Sequence, residues 1–414
     1  MATLIFNADP SPQIRSECGK SFARRNSSQG NFLYPRDLKP KLVELVLDQR
    51  TLLSVYVAAA LVVTIQRGVF GFPNDYAIFR ASFWNLIGNN DLYALRLDQA
   101  RDYFKYSPTF ALLFAPFAVL PFALGLFFWN VLNALAIFFA LRALLPREHW
   151  ATARILVALP ALRSLQSSQS NALVAALIIV AFVCLERGWL WRGGLAIALG
   201  AIIKIFPAVA VIFALPSKDR VRAILVTVLC TTILIALPLL VVPPSALAAQ
   251  YRSWGALEQR EAALVGSSAM ELLRNAGITW PAWPIQLIGL AILLAVLLLR
   301  LRDWDDRNLR LQFLGFVMVF CVVFNHRAER QSAVIAVAGM VIWYLASPRQ
   351  LWRTTFFAVG YLLVVMAGSA VVPDAIKNVL SAPVRFSIPL TVLWLVMFGD
   401  LTIRRTHRQV GEGR

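Results

Sequence analysis

Eleven apolar runs, at about 51–66, 108–141, 151–163, 171–186, 192–215, 221–242, 284–300, 309–325, 331–346, 354–372 and 386–403, dominate this chain. Runs long enough to cross about 30 Å of hydrocarbon as helices recur along it, and nothing alternates as a membrane-barrel strand does. Because lipid offers the backbone no hydrogen-bond partner, such runs predict an all-α, polytopic integral membrane protein. Composition agrees: 59% of the 414 residues are hydrophobic and only 15% are charged, too apolar for a soluble protein of this size. Two runs are irregular. The first, 108–141, is too long for one straight helix and short for two, with Pro116 and Pro121 as breaks; the second, 192–215, is interrupted by "KIFP", where Lys204 and Pro207 predict a kink or re-entrant turn. A bundle of about 10–13 transmembrane helices is expected.

The net charge of +18 does not signal nucleic acid, because the basic residues sit in short loops and form no stripe interleaved with exposed aromatics. Of the 40 Lys and Arg, 26 fall in residues 1–50, 142–154, 186–192, 216–222, 300–310, 347–353 and the tail from Arg404, which the positive-inside rule places in the cytoplasm. Loops 67–106, 163–171, 243–283, 325–330 and 373–386 then face outward. Three parts follow: a polar cytoplasmic segment over 1–50 without the short apolar core of a cleavable signal, a transmembrane domain over 51–403, and a basic cytoplasmic tail over 404–414. Four scattered cysteines indicate neither a disulfide framework nor a metal site, and no carboxylate pair or histidine cluster has ligand spacing, so no metal or cofactor is expected.

The outer loops carry the chemistry. In "GFPNDYAIFR", 71–80, Asp75 stands where an interfacial helix should begin. It could simply cap that helix, or serve as a general base at the membrane boundary. Loops 67–106 and 243–283 mix charges with periodic apolar residues, a pattern for interfacial helices that roof a cavity. Lys105 before "YSP" reads as a snorkelling lysine or an anion contact, and "QSSQSN" offers Gln169 and Asn171 as helix-capping residues or sugar ligands. Lys204, deep in an apolar run, is costly unless it snorkels or meets an anion. His326, Arg327, Glu329 and Arg330 crowd one short outer hairpin, which suits a phosphate: arginine as clamp, histidine as donor, Glu329 as orienter.

In their order these elements resemble glycosyltransferase family 87, multi-spanning enzymes of GT-C architecture that use polyprenyl-phosphate sugars. The resemblance runs over roughly residues 70–215, through "NDYAIFRA", "NNDLYAL", "KYSPTFALLFAPFAVLP", "QSSQSNALV" and "GGLAIALGAIIKIFPAV". Beyond it, His326 matches a late outer-loop histidine of the mycobacterial phosphatidylinositol-mannoside mannosyltransferase of that family. Ser107 and Ser168 depart from the family's usual Pro and Gly. The resemblance implies a hexose, mannose by analogy, moved from a polyprenyl-phosphate donor to a glycolipid or glycan acceptor at the outer face of the plasma (inner) membrane, with inversion. It implies Asp75 as catalytic base, Lys204, His326, Arg327 and Lys105 around the donor phosphate, and Tyr76, Tyr93, Gln169, Asn171 and Glu329 around sugar or acceptor.

The competing reading is a transporter or flippase that binds a translocated anion at Lys204 and the 326–330 cluster. Such proteins often break helices at matching positions of two halves. Here "KIFP" has no counterpart in the second half.

Overall fold

A computed structural model of the chain describes residues 48–366 and 382–403. Most of the N-terminal polar segment, residues 367–381, which hold the end of the 354–372 run and most of the expected outer loop 373–386, and the basic tail lie outside the described residues. Every regular element among the described residues is helical. In chain order these are α1 (Gln49–Gly68), α2 (Asn74–Ile87), α3 (Pro108–Leu113), α4 (Ala115–Ala118), α5 (Phe122–Leu144), α6 (Trp150–Gln166), α7 (Asn171–Glu186), α8 (Leu190–Ile203) and α9 (Arg220–Ala236). There follow α10 (Pro244–Glu261), α11 (Ala269–Asn275), α12 (Ala282–Arg300), α13 (Arg307–Val323), α14 (Ala333–Leu345), α15 (Leu351–Tyr361), α16 (Ala382–Arg385) and α17 (Ser387–Ile403).

The eleven apolar runs become α1, α5 to α9, α12 to α15 and α17. The prolines act as expected. Run 108–141 opens as the short helices α3 and α4, then α5 starts directly after Pro121. Among the described residues five helical segments are long and apolar enough to cross a membrane by themselves: Gln49–Gly68, Phe122–Leu144, Arg220–Leu240, Ala282–Asp303 and Pro383–Ile403. Their outward residues, such as Leu225, Val228 and Ile233 on α9 or Leu287, Ile288 and Leu298 on α12, are exposed hydrocarbon, as lipid contact requires.

The shorter apolar helices have a common cause. Segments Asn171–Glu186, Leu190–Ile203 and Arg330–Leu345 are each cut off at the same end of the bundle, by "QSSQSN", "KIFP" and "NHRAER" respectively. At 1.5 Å per residue α7 and α8 extend only about 24 and 21 Å, short of the hydrocarbon thickness. A polar recess lies where these three segments end. Against it α13 and α14 pack at the centre, α14 with all 13 residues buried. Their backbones touch where a Cβ on Gly315 would come within 2.5 Å of the Gly339 carbonyl oxygen.

The opposite end gathers the basic residues: Arg142 in the last turn of α5 and Arg147 after it, Arg187 after α7 and Arg192 in the first turn of α8, Arg220 and Arg222 opening α9, Arg300 to Arg310, and Arg349 with Arg353. Exposed Trp189, Trp191 and Trp352 mark that end, and Trp280 and Trp283 at the start of α12 mark the recessed one.

Candidate active site

The recess is a cavity of about 160 Å³, built from the start of α2, the segment 102–106, the loop before α7, the break after α8, the end of α10 and the hairpin 325–329. Asp75 reaches it from the first turn of α2. The cap reading fails: Pro73 is the N-cap residue and no side chain caps the helix. Proline supplies no N–H to satisfy, and Asp75, two residues further on, is left to face the cavity. Burial first, and then the neighbouring Glu329 carboxylate, push its pKa up to about 6, against the pull of Gln169 and Lys204.

Behind Asp75 runs a chain of short polar contacts. Lys204 Nζ donates to Asn171 Oδ1 at 2.7 Å, Asn171 Nδ2 to Gln169 Oε1 at 2.5 Å, and Gln169 Nε2 to Glu329 Oε2 at 2.5 Å. Local structure explains how four separate segments meet. Ser168 adopts a left-handed conformation at φ 55°, which turns the chain between α6 and α7. Lys204 is extended, at φ −145° and ψ 136°, because "KIFP" ends α8 and folds back so tightly that a Cβ on Gly200 would lie 2.8 Å from Pro207. A lysine that the sequence places mid-membrane thus stands at the floor of a polar pocket.

The hairpin is docked rather than loose. Gly266 and Ser267 donate their N–H groups to the carbonyls of His326 and Ala328 at 2.6 and 2.7 Å. Gln286 Nε2 lies 3.3 Å from His326 Nδ1 and fixes the ring's orientation. Burial and then Arg327 lower the His326 pKa, keeping the ring neutral near pH 7. Arg327 pairs with Glu258 at 3.1 Å and Glu261 at 3.4 Å; Lys105 pairs with Asp102 at 3.1 Å and with the same Glu261 at 3.4 Å. For Lys105, burial works against the charge but Asp102 and Glu261 outweigh it, so its pKa rises. These ion pairs fasten α10 across the cavity as a roof.

Seven of the ten expected site residues line the cavity: Asp75, Lys105, Gln169, Lys204, His326, Arg327 and Glu329. Asn171 lies directly behind, joining Gln169 to Lys204. Tyr76 and Tyr93 do not reach it. The Tyr76 hydroxyl donates to the Phe117 carbonyl at 3.1 Å and that of Tyr93 to the Tyr106 carbonyl at 2.8 Å, because a buried phenol needs a partner and the nearest is backbone. The sequence reading missed Asp102, Tyr106, Trp254, Glu258 and the bridging Glu261. Trp254, Glu258 and Glu261 follow each other at spacings of four and three on α10, one polar stripe on a helix face, a signal present in the sequence. Among the described residues Asp75, Glu329 and Lys204 stand in no ion pair.

A sequence model of glycosyltransferase family 87 matches residues 104–325. No curated protein matches the chain.

Proposed function

We propose, from the premise that the chain belongs to glycosyltransferase family 87, that this membrane glycosyltransferase takes a hexose from a polyprenyl-phosphate carrier and passes it to a hydroxyl of a glycolipid or glycan. Membership in the family replaces the transporter reading. The observation that carries the proposal is the meeting, in one cavity, of one raised carboxyl, Asp75, with a lysine in no ion pair among the described residues and a neutral histidine.

The chemistry needs one base and no acid. A sugar on a lipid phosphate leaves as the phosphate itself, whose charge grows by one as the C1–O bond breaks. The acceptor oxygen attacks C1 from the opposite side, its proton passes to Asp75, and the anomeric configuration inverts. A base with a pKa of about 6 is ionised at pH 7 yet basic enough to take a proton as the hydroxyl attacks. Lys204 and a ring N–H of His326 stabilise the growing phosphate charge. Lys105 and Arg327 reach that phosphate only by exchanging Glu261 for it. Gln169, with Asn171 behind it, fixes Glu329 toward the sugar or acceptor hydroxyls.

The basic opposite end supports a cytoplasmic placement of the loops gathered there, with the N-terminus, and an outward-facing cavity in the inner membrane. Mannose remains the sugar favoured by family analogy. The test is transfer of labelled sugar to membrane lipid extract from polyprenyl-phosphate-mannose and, separately, polyprenyl-phosphate-glucose, with wild type and Asp75→Asn at matched expression. Transfer from one donor, lost in a folded variant, identifies the sugar and supports the base. Undiminished transfer by the variant removes Asp75 from the chemistry, and no transfer by wild type from either donor removes the polyprenyl-phosphate hexoses tested.

A further inference from the structure

At the end of the bundle opposite the cavity, three guanidinium groups surround one indole. The guanidinium carbons of Arg142, Arg147 and Arg154 lie 5.2, 5.9 and 5.7 Å from the Trp150 ring centroid. The ring itself is fixed by a 2.7 Å hydrogen bond from its N–H to the Leu145 carbonyl. Arg154 is fully buried, with its guanidinium carbon 3.8 Å from the Phe138 ring centroid and its Nε donating to the Phe138 carbonyl at 3.3 Å. Both of its terminal nitrogens lack a hydrogen-bond partner. Among the described residues none of the three arginines is in an ion pair, the neighbouring Glu148 included.

This is not compensation of a helix end. The last carbonyls of α5, Ala143 and Leu144, already accept from Arg187 and Arg307. A buried cation without a counter-charge costs several kcal/mol, and two more cations at the same ring raise that cost. The chain supplies no compensating anion among the described residues, so the compensating charge comes from outside. Above the cluster, Phe139, one turn before Arg142, and Ile155, next to Arg154, expose hydrocarbon. An anion with an acyl chain would find both halves of its surface here. Basic pockets between membrane helices hold anionic headgroups in this manner.

We infer that the Trp150 cluster is a phosphate-binding site, with Arg142 and Arg147 as direct ligands and buried Arg154 acting through its field, and that an anionic phospholipid headgroup fills it. Inorganic phosphate offers the same chemistry from solution, and one experiment separates the two. The full-length protein in neutral detergent is unfolded thermally with phosphatidylglycerol, phosphatidylcholine or inorganic phosphate added. Three forms are compared: wild type, Arg142→Gln/Arg147→Gln, and Arg187→Gln/Arg192→Gln, which removes two arginines stacked on Trp189 at the same end. Arg142 and Arg147 are exposed, so their double variant should fold.

Phosphatidylglycerol should raise the wild-type midpoint on the order of 3–5 °C, and phosphatidylcholine should not. That rise should vanish in the 142/147 variant and persist in the 187/192 variant. An equal rise with inorganic phosphate, lost in the same variant, keeps the site and assigns it to a soluble anion. A rise unchanged in the 142/147 variant, or lost equally in both variants, would overturn the site.

Discussion

Two charged clusters lie at the two ends of the same bundle, and they are built on opposite rules. Away from the cavity, Arg353 is 2% exposed and ion-paired: Nη2 on Asp400 at 2.5 Å, Nη1 on the Pro348 carbonyl at 2.9 Å, with Trp343 donating to the other Asp400 oxygen at 3.1 Å. At the cavity, Asp75 is in no ion pair among the described residues, and burial and then Glu329 push its pKa up to about 6. A satisfied buried pair fixes packing. An unsatisfied one stores reactivity, because the protein has left a group that gains by taking a proton.

The contrast is broken most severely by single substitutions at each end. Asp75→Asn should lower kcat by about 10³-fold, the scale of a lost general base. Its thermal midpoint should hold or rise. The folded protein binds the Asp75 proton more tightly than the unfolded chain does, so ionising it costs stability as pH climbs from about 4 to about 6, by roughly 2–3 kcal/mol at pH 7. Asparagine carries no such cost. Arg353→Met should do the reverse, losing about 3–5 kcal/mol by taking the guanidinium from the buried Asp400 carboxylate, with transfer per folded molecule unchanged; a denaturation series beside the transfer assay reads both.

Next in size, Lys204→Met should lower kcat about 10²-fold while the donor KM moves little, the pattern of an interaction that strengthens as the phosphate leaves. Glu261→Gln frees Lys105 and Arg327 from a shared carboxylate, so the donor KM should change several-fold with kcat nearly constant. The smallest effect belongs to Tyr93→Phe. Loss of its hydrogen bond to the Tyr106 carbonyl should cost about 1 kcal/mol of stability and leave transfer intact, whereas a tyrosine touching sugar would show in KM.

Much of this molecule is legible before folding, for physical reasons that can be named. The helices follow from hydropathy, and the site floor follows from the places where hydropathy fails: "QSSQSN", "KIFP" and "NHRAER" are costly in lipid unless something polar meets them. Lys204, Gln169 and Glu329 announce themselves in this way. Asp75 was half legible, since the sequence cannot tell a capping aspartate from one two residues inside a helix that Pro73 starts. The roofing loops were legible, but the ion pairs that fasten them were not. Glu258 and Glu261 look like surface charges of an interfacial helix, and only folding shows that they neutralise Arg327, 69 residues away in sequence from Glu258. Tyr93 was read into the site by family likeness, but a hydroxyl inside a packed aromatic cluster takes the backbone acceptor next to it.

The central claim, that Asp75 is a base tuned by burial, is tested most directly by the pH dependence of kcat/KM for sugar transfer. The account predicts a fall of about tenfold per pH unit below about 6 in wild type, and no such step at the much lower rate of Asp75→Asn. A wild-type rate that stays level to pH 5, or a variant that keeps the wild-type profile, would contradict it.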